Sequence, residues 1–148
     1  MLIDQLLEFY YKYDKFQSSH LSEEKARKIY SYLLAKDCIH HYSNNNALLG
    51  YGESLRIDYD TFGKIICGYN VYDMLETINI TNGPIAYLAN VTIHPEHRGT
   101  TVLRYLRNDF LIKNFSCEYF VGHALRKRHQ PVKVFKRSEV AKKWIREV

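Results

Sequence analysis

Apolar residues recur at Leu2, Ile3, Leu6, Leu7, Phe9, Tyr10 and Tyr13, a spacing near the 3.6-residue helical repeat, which predicts an amphipathic helix over residues 2–17. His20 and Leu21 break that pattern. Ser22 followed by Glu23 and Glu24 reads as an N-cap with acids in the first turn, and Ala26, Ile29, Tyr30, Leu33 and Leu34 carry a second helix to about Lys36. From Asp37 the alternation shortens to two. The runs CIHHYS, ALLGYGESLRIDYD and KIICGYNVYDML are separated by Asn44-Asn45-Asn46 and Thr61-Phe62-Gly63, and they predict two or three antiparallel strands joined by hairpins. A loop over Glu76 to Gly83 leads to an apolar strand, Ile85 to Ile93. A turn on Pro95 and a basic Arg98-Gly99 bend follow, then a helix with Val102, Leu103, Leu106, Phe110 and Leu111 on one face. SCEYFVGHA predicts a strand over 117–123, parallel to 85–93 because a helix separates the two. PVKVFKRSEV alternates like an edge strand, and SEVAKKWIREV closes the chain as a short helix capped by Ser138. The order is that of an α/β domain with a mixed sheet of about six strands, two N-terminal helices and a helix after the central strand.

Composition narrows the class. A chain of 148 residues, 46% hydrophobic and 25% charged, fits one globular domain spanning 1–148, and its 13 Tyr imply many half-buried rings with a polar handle. Cys38, Cys67 and Cys117 are odd in number and sit inside apolar runs, the pattern of reduced, buried thiols in an intracellular protein. The N-terminus lacks a signal-peptide pattern and no apolar run approaches ~18 residues, so a cytoplasmic protein without a membrane segment is expected. The charge of +5 is uneven: from His123 to Val148 nine Lys or Arg face Glu139 and Glu147, a net +7, leaving −2 for the first 122 residues. That asymmetry favours an anionic ligand or partner at the C-terminal end. No phosphate-binding GxxxxGK[ST], dinucleotide GxGxxG or hydrolase GxSxG occurs. Cys38 with His40 and His41, or His94 with His97, falls short of four ligands, so no metal site is expected.

A strand, loop and helix in the order Gly83 to Asn114 presents unpaired backbone N–H groups at a helix N-terminus, where the macrodipole favours negative charge. At His94-Pro95-Glu96-His97-Arg98-Gly99 the run AYLANVTIHPEHRGTTVLRYL resembles the central strand, pyrophosphate loop and following helix of the GCN5-related N-acetyltransferase (GNAT) family, whose motif reads V-x-P-x-x-R-G-x-G-x-G. The likeness covers residues 1–124 in order of elements and 85–107 in motif. It implies an acyltransferase that moves an acetyl or other acyl group from acyl-coenzyme A, acetyl-CoA in the simplest case, to an amine of a small molecule or protein. The cofactor residues it implies are Val91, Thr92 and Ile93 along the strand, and Arg98, Gly99, Thr100, Thr101 and Val102 in the loop. The thioester would lie between strands 85–93 and 117–123. Thr101 and Leu103 stand where the family has small residues. A Thr hydroxyl can hydrogen-bond a phosphate oxygen, whereas Leu103 either points into the core or obstructs the diphosphate. Phe135 stands about where the family has a proton-donating Tyr.

Aminolysis of a thioester needs a neutral amine, a polarised carbonyl and a proton for the thiolate. His123, at the end of the last parallel strand, is the candidate acid or base, or else a His hydrogen-bonded at a strand end. Tyr119 is a second candidate donor. Tyr87 and Asn90 are candidate substrate-binding residues, with a packed ring and a bulge as the alternatives. Arg126, Lys127 and Arg128 are candidate nucleic-acid contacts, and the rival to the enzyme is a non-catalytic protein of the same fold that binds nucleic acid or a protein partner through this basic end. Expected partners are acyl-CoA and an amine, a nucleic acid or acidic partner at the basic end, a second copy in a homodimer, and no membrane.

Overall fold

The computed structural model describes residues 2–14, 21–99, 101–122 and 133–147, with side chains up to Lys142. The element order is α1 (Leu2–Tyr13), α2 (Glu23–Ala35), β1 (Ile39–Asn44), β2 (Ala47–Ile57), α3 (Tyr59–Ile66), β3 (Ile85–Ile93), α4 (Thr101–Lys113), β4 (Tyr119–Gly122), β5 (Lys133–Lys136) and α5 (Arg137–Glu147). The strands form one mixed sheet in the order β1-β2-β3-β4-β5, with β1–β2 and β4–β5 antiparallel and β3–β4 parallel. Among the described residues the sheet has five strands, where about six were expected. The contacts divide the chain into two compact units.

The first unit comprises Met1–Glu53 and Asn90–Leu111. Its helices form as the apolar spacing requires: Leu6, Leu7, Phe9 and Tyr10 of α1 and Ala26, Ile29, Tyr30 and Leu33 of α2 are buried. Ser22 caps α2 by accepting the Lys25 N–H at 3.2 Å. The helix ends with Asp37 in the left-handed region (φ 56) and the Cys38 N–H on the Leu33 carbonyl. Asn45 and Asn46 both take positive φ, 51 and 64, the conformation of a two-residue hairpin whose twist matches its strands, and they set the pairing of Asn44 with Ala47. α1 ends at Tyr13, short of the expected residue 17.

The second unit comprises Ser54–Ala89 and Ile112–Val148. Here a prediction fails. The Thr61-Phe62-Gly63 turn expected between two strands lies inside helix α3, and KIICGYNVYDML, expected as a third strand, supplies the end of α3 and a 3-10 turn at Val71–Asp73. Asp58 caps α3 by accepting the Thr61 N–H at 2.7 Å, and its buried residues Thr61 and Ile65 are four apart, as on one face of a helix. Gly83 lies against β2: an added Cβ would fall 2.1 Å from the Ile57 carbonyl. β5 is the expected edge strand, exposed along its length. α5 begins at Arg137, ahead of the expected Ser138 cap, and Glu139 reaches back to accept the Lys136 N–H at 3.3 Å. Cys38 and Cys117 are buried as expected, but Cys67 is exposed just past the end of α3.

Candidate functional site

The loop between β3 and α4 lies in the first unit. The His94 N–H donates to the Leu49 carbonyl at 2.8 Å and seats the end of β3 on β2. Its Nδ1 accepts the Glu96 N–H at 3.2 Å and so caps the turn that follows. Pro95 opens a single 3-10 turn to His97. Arg98 follows in extended backbone, exposed, and Gly99 takes φ +74. A Cβ on Gly99 would meet no atom within 4 Å. Space is not what requires glycine there; the left-handed backbone is.

α4 then starts at Thr101 with no acidic side chain in its first turn, where the macrodipole favours negative charge. Val102 anchors that end: it is 2% exposed and forms a cluster with Ile93 and Leu106, closed by Tyr42, Leu49 and Val91. The approach is tight enough that a Cβ on Gly50 of β2 would lie 2.8 Å from Val102 Cγ1. Thr101 is exposed. Leu103, expected on the buried face, is 45% exposed, which removes the core as its destination. Its neighbours Val102 and Leu106 take the inward positions, so the apolar stripe passes beside it.

Along β3 the candidate residues divide by face. Ile93 and Val91 pack with α4, whereas Asn90 and Thr92 turn the other way. Asn90 is 3% exposed and its Nδ2 donates to Asp14 Oδ2 at 2.9 Å; Thr92 hydrogen-bonds the Tyr51 hydroxyl. The Asn90 amide nitrogen thus has a partner just past the end of α1.

In the second unit, β3 and β4 pair in parallel from Ile85 with Tyr119 to Leu88 with Gly122. Tyr87 is buried on β3, and burial pushes its phenol well above the usual range, so it is a proton-bearing donor at neutral pH. Tyr119 is half-buried, its ring edge-on to Tyr59 at 6.4 Å. The Tyr59 hydroxyl donates to Glu118 Oε2 at 2.6 Å, and that bond lifts its pKa to about 12. His123, Thr100, Arg126, Lys127 and Arg128 lie outside the described residues.

A polar group in the first unit was not picked out from the sequence. Tyr30 and Tyr51 join hydroxyls at 2.9 Å, Tyr10 stacks on Tyr30 at 5.3 Å, and Glu53, two residues beyond Tyr51 on β2, is fully buried. Burial, then the Glu53 carboxylate, pushes the Tyr51 phenol up; burial, then Asp14, does the same to Tyr10. The available signal was Glu53 itself, a charge in phase with Tyr51, Leu55 and Ile57 on a strand. Among the described residues no group of three or more His, Cys, Asp or Glu could hold a metal ion, and no helix is long and apolar enough to cross a membrane.

No protein-family model and no curated protein sequence matches this chain. Solved structures do. The loading GNATL domain of CurA from Lyngbya majuscula superposes with a TM-score of 0.62 at 13% identity, over 87% of this chain and 65% of that one. The GphF GNAT-like decarboxylase in complex with isobutyryl-CoA superposes with a TM-score of 0.59 at 14% identity, over 81% of this chain and 60% of that one. The chain thus spans less than two thirds of the length of either neighbour. At such identities the likeness establishes the fold, which is GNAT-like.

Proposed function

We propose that the protein binds an acyl-coenzyme A and transfers its acyl group to an amine. The observation that carries this reading is the junction of β3 and α4. An exposed Arg98, a left-handed Gly99 with open space beside it and a first helical turn free of acids occupy the place where the GNAT motif holds a pyrophosphate. A structural neighbour was solved with isobutyryl-CoA, which supports an acyl-CoA as the ligand class. When bound, the coenzyme supplies an activated thioester carbonyl and a thiolate leaving group.

The chain's own residues would divide the work. Arg98 and the N–H groups from Gly99 to Val102 hold the diphosphate, with the Thr101 hydroxyl available as a further donor. The backbone of Val91, Thr92 and Ile93 orients the pantetheine arm. Tyr87, kept protonated by burial, can donate to an acyl oxygen. Tyr119 or His123 would return a proton to the thiolate. Acetyl as the acyl group, a single domain, cytoplasmic residence and a homodimer belong to the same proposal.

The neighbour described as a decarboxylase supports a second reading. A carboxylated acyl-CoA would lose CO2, its C–C bond electrons passing into the thioester enolate, which a protein acid then protonates. The two are separated by incubating the protein with acetyl-CoA plus a panel of amines, and separately with malonyl-CoA. Free thiol released only with an amine supports acyl transfer; acetyl-CoA and CO2 formed from malonyl-CoA without amine supports decarboxylation. Neither product, from protein that binds coenzyme A, would point to a binding protein of this fold.

A further inference from the structure

In the second unit, two arginines converge on one exposed serine. Arg56 of β2 is half-buried and aimed by Asn114, whose Oδ1 accepts its Nε at 3.2 Å. Its Nη2 donates to Ser116 Oγ in a short contact. Arg137, at the first position of α5, donates Nη1 to the Ser116 carbonyl at 3.2 Å, while its own N–H is held by the Glu118 carbonyl at 2.9 Å. Both guanidinium groups also act on the adjacent Cys117 thiol, opposing the burial that pushes it up.

The ion pairs of Arg27 with Asp4, His40 with Asp109 and Lys64 with Asp60 involve neither Arg56 nor Arg137. The carboxylates nearest in sequence have donors of their own: Glu118 accepts from Tyr59, Asp58 from the Thr61 N–H and Glu139 from the Lys136 N–H. The two cations are brought to a neutral hydroxyl and a carbonyl. An anion with several acceptor oxygens at Ser116 Oγ would take hydrogen bonds from both forks.

We propose that Arg56, Arg137 and Ser116 form a phosphoryl-binding site. The phosphoryl group has two possible sources: an ester on Ser116 Oγ, or the phosphate of a separate molecule. For the ester, a kinase would form the O–P bond at Oγ from a nucleoside triphosphate, with the nucleoside diphosphate leaving and the hydroxyl proton passing to solvent. The test of this site is independent of the acyl-transfer reading.

In one arm, inorganic phosphate is titrated into the full chain while the Ser116 and Cys117 amides are followed by NMR, with Arg56→Gln and Arg137→Gln in parallel. Saturable shifts that weaken by about tenfold in each variant assign the site to the phosphate of a separate molecule. In a second arm, the chain carrying phosphoserine at 116 is titrated by phosphorus NMR. A second phosphate pKa depressed by about one unit from the usual ~6, and restored in Arg137→Gln, assigns it to the ester. Arg137 is exposed, so that variant folds whether or not Arg56→Gln does. Shifts indifferent to both arginines in the first arm, together with an ordinary phosphate pKa in the second, overturn the proposal.

Discussion

Gly99 and Gly83 are glycines for opposite reasons, and substitution distinguishes them. At Gly99 the backbone is left-handed with open space around it, so Gly99→Ala costs about 1 kcal/mol of strain and is expected to weaken coenzyme A binding while leaving the fold intact. At Gly83 a Cβ would sit 2.1 Å from the Ile57 carbonyl, and Gly83→Ala is expected to lower the urea midpoint severely, by the equivalent of several kcal/mol. An unchanged midpoint in Gly83→Ala would show that β2 and the loop before β3 are not so close. Tyr59 offers a spectroscopic check. Its hydroxyl is neutral when it donates to Glu118, so the bond favours the folded state below the ordinary pKa of 10.0 and is lost as pH rises through about 12. Glu118→Gln should return the phenol toward 10.0 in an absorbance titration. At this scale the sequence was legible where a residue's backbone demand is local, as at Pro95 and Gly99. It was silent where the partner is distant: nothing near Asn90 in the chain announces Asp14, and nothing near Arg56 announces Ser116.

Elements whose apolar period is long were legible; short ones were not. β3 runs over the nine residues of its largely apolar stretch, and Ser22 caps α2 as its side chain dictates. α3 was misread as a turn between two strands because Gly63 stands in its middle, although Asp58 three positions before Thr61 carried a capping signal. Asp58→Ala is expected to cost about 1 kcal/mol in a denaturant titration. The Thr61 N–H bond lowers the Asp58 pKa below 3.8, so the cap's contribution is complete above that value and fades as pH falls through the lowered pKa. α4 carries the other misreading, Leu103. The helix seats Val102 against Gly50 so closely that one residue's rotation decides which side chain faces inward. Gly50→Ala should therefore destabilise the fold by about 1–3 kcal/mol, and Val102→Ala in the same chain should recover part of that loss. Additive effects in the double variant would show that the two positions do not touch.

For the whole molecule, the order of elements was readable and the chemistry only partly so. Two helices, a hairpin, a central strand and a parallel partner across a helix define a GNAT-like fold even at 13% identity to its structural neighbours, because alternation, caps and right-handed crossovers do not depend on particular side chains. A ligand does depend on them. The Arg98-Gly99 bend survives in this chain while the small residues of the motif are replaced by Thr101 and Leu103, both exposed beside the helix N-terminus. The most direct test is calorimetric titration of the full chain with coenzyme A, repeated with Arg98→Ala. A pyrophosphate site at the β3–α4 junction predicts saturable binding that Arg98→Ala weakens by about tenfold, equivalent to about 1.4 kcal/mol. No heat at millimolar coenzyme A, or binding that Arg98→Ala leaves unchanged, would contradict it.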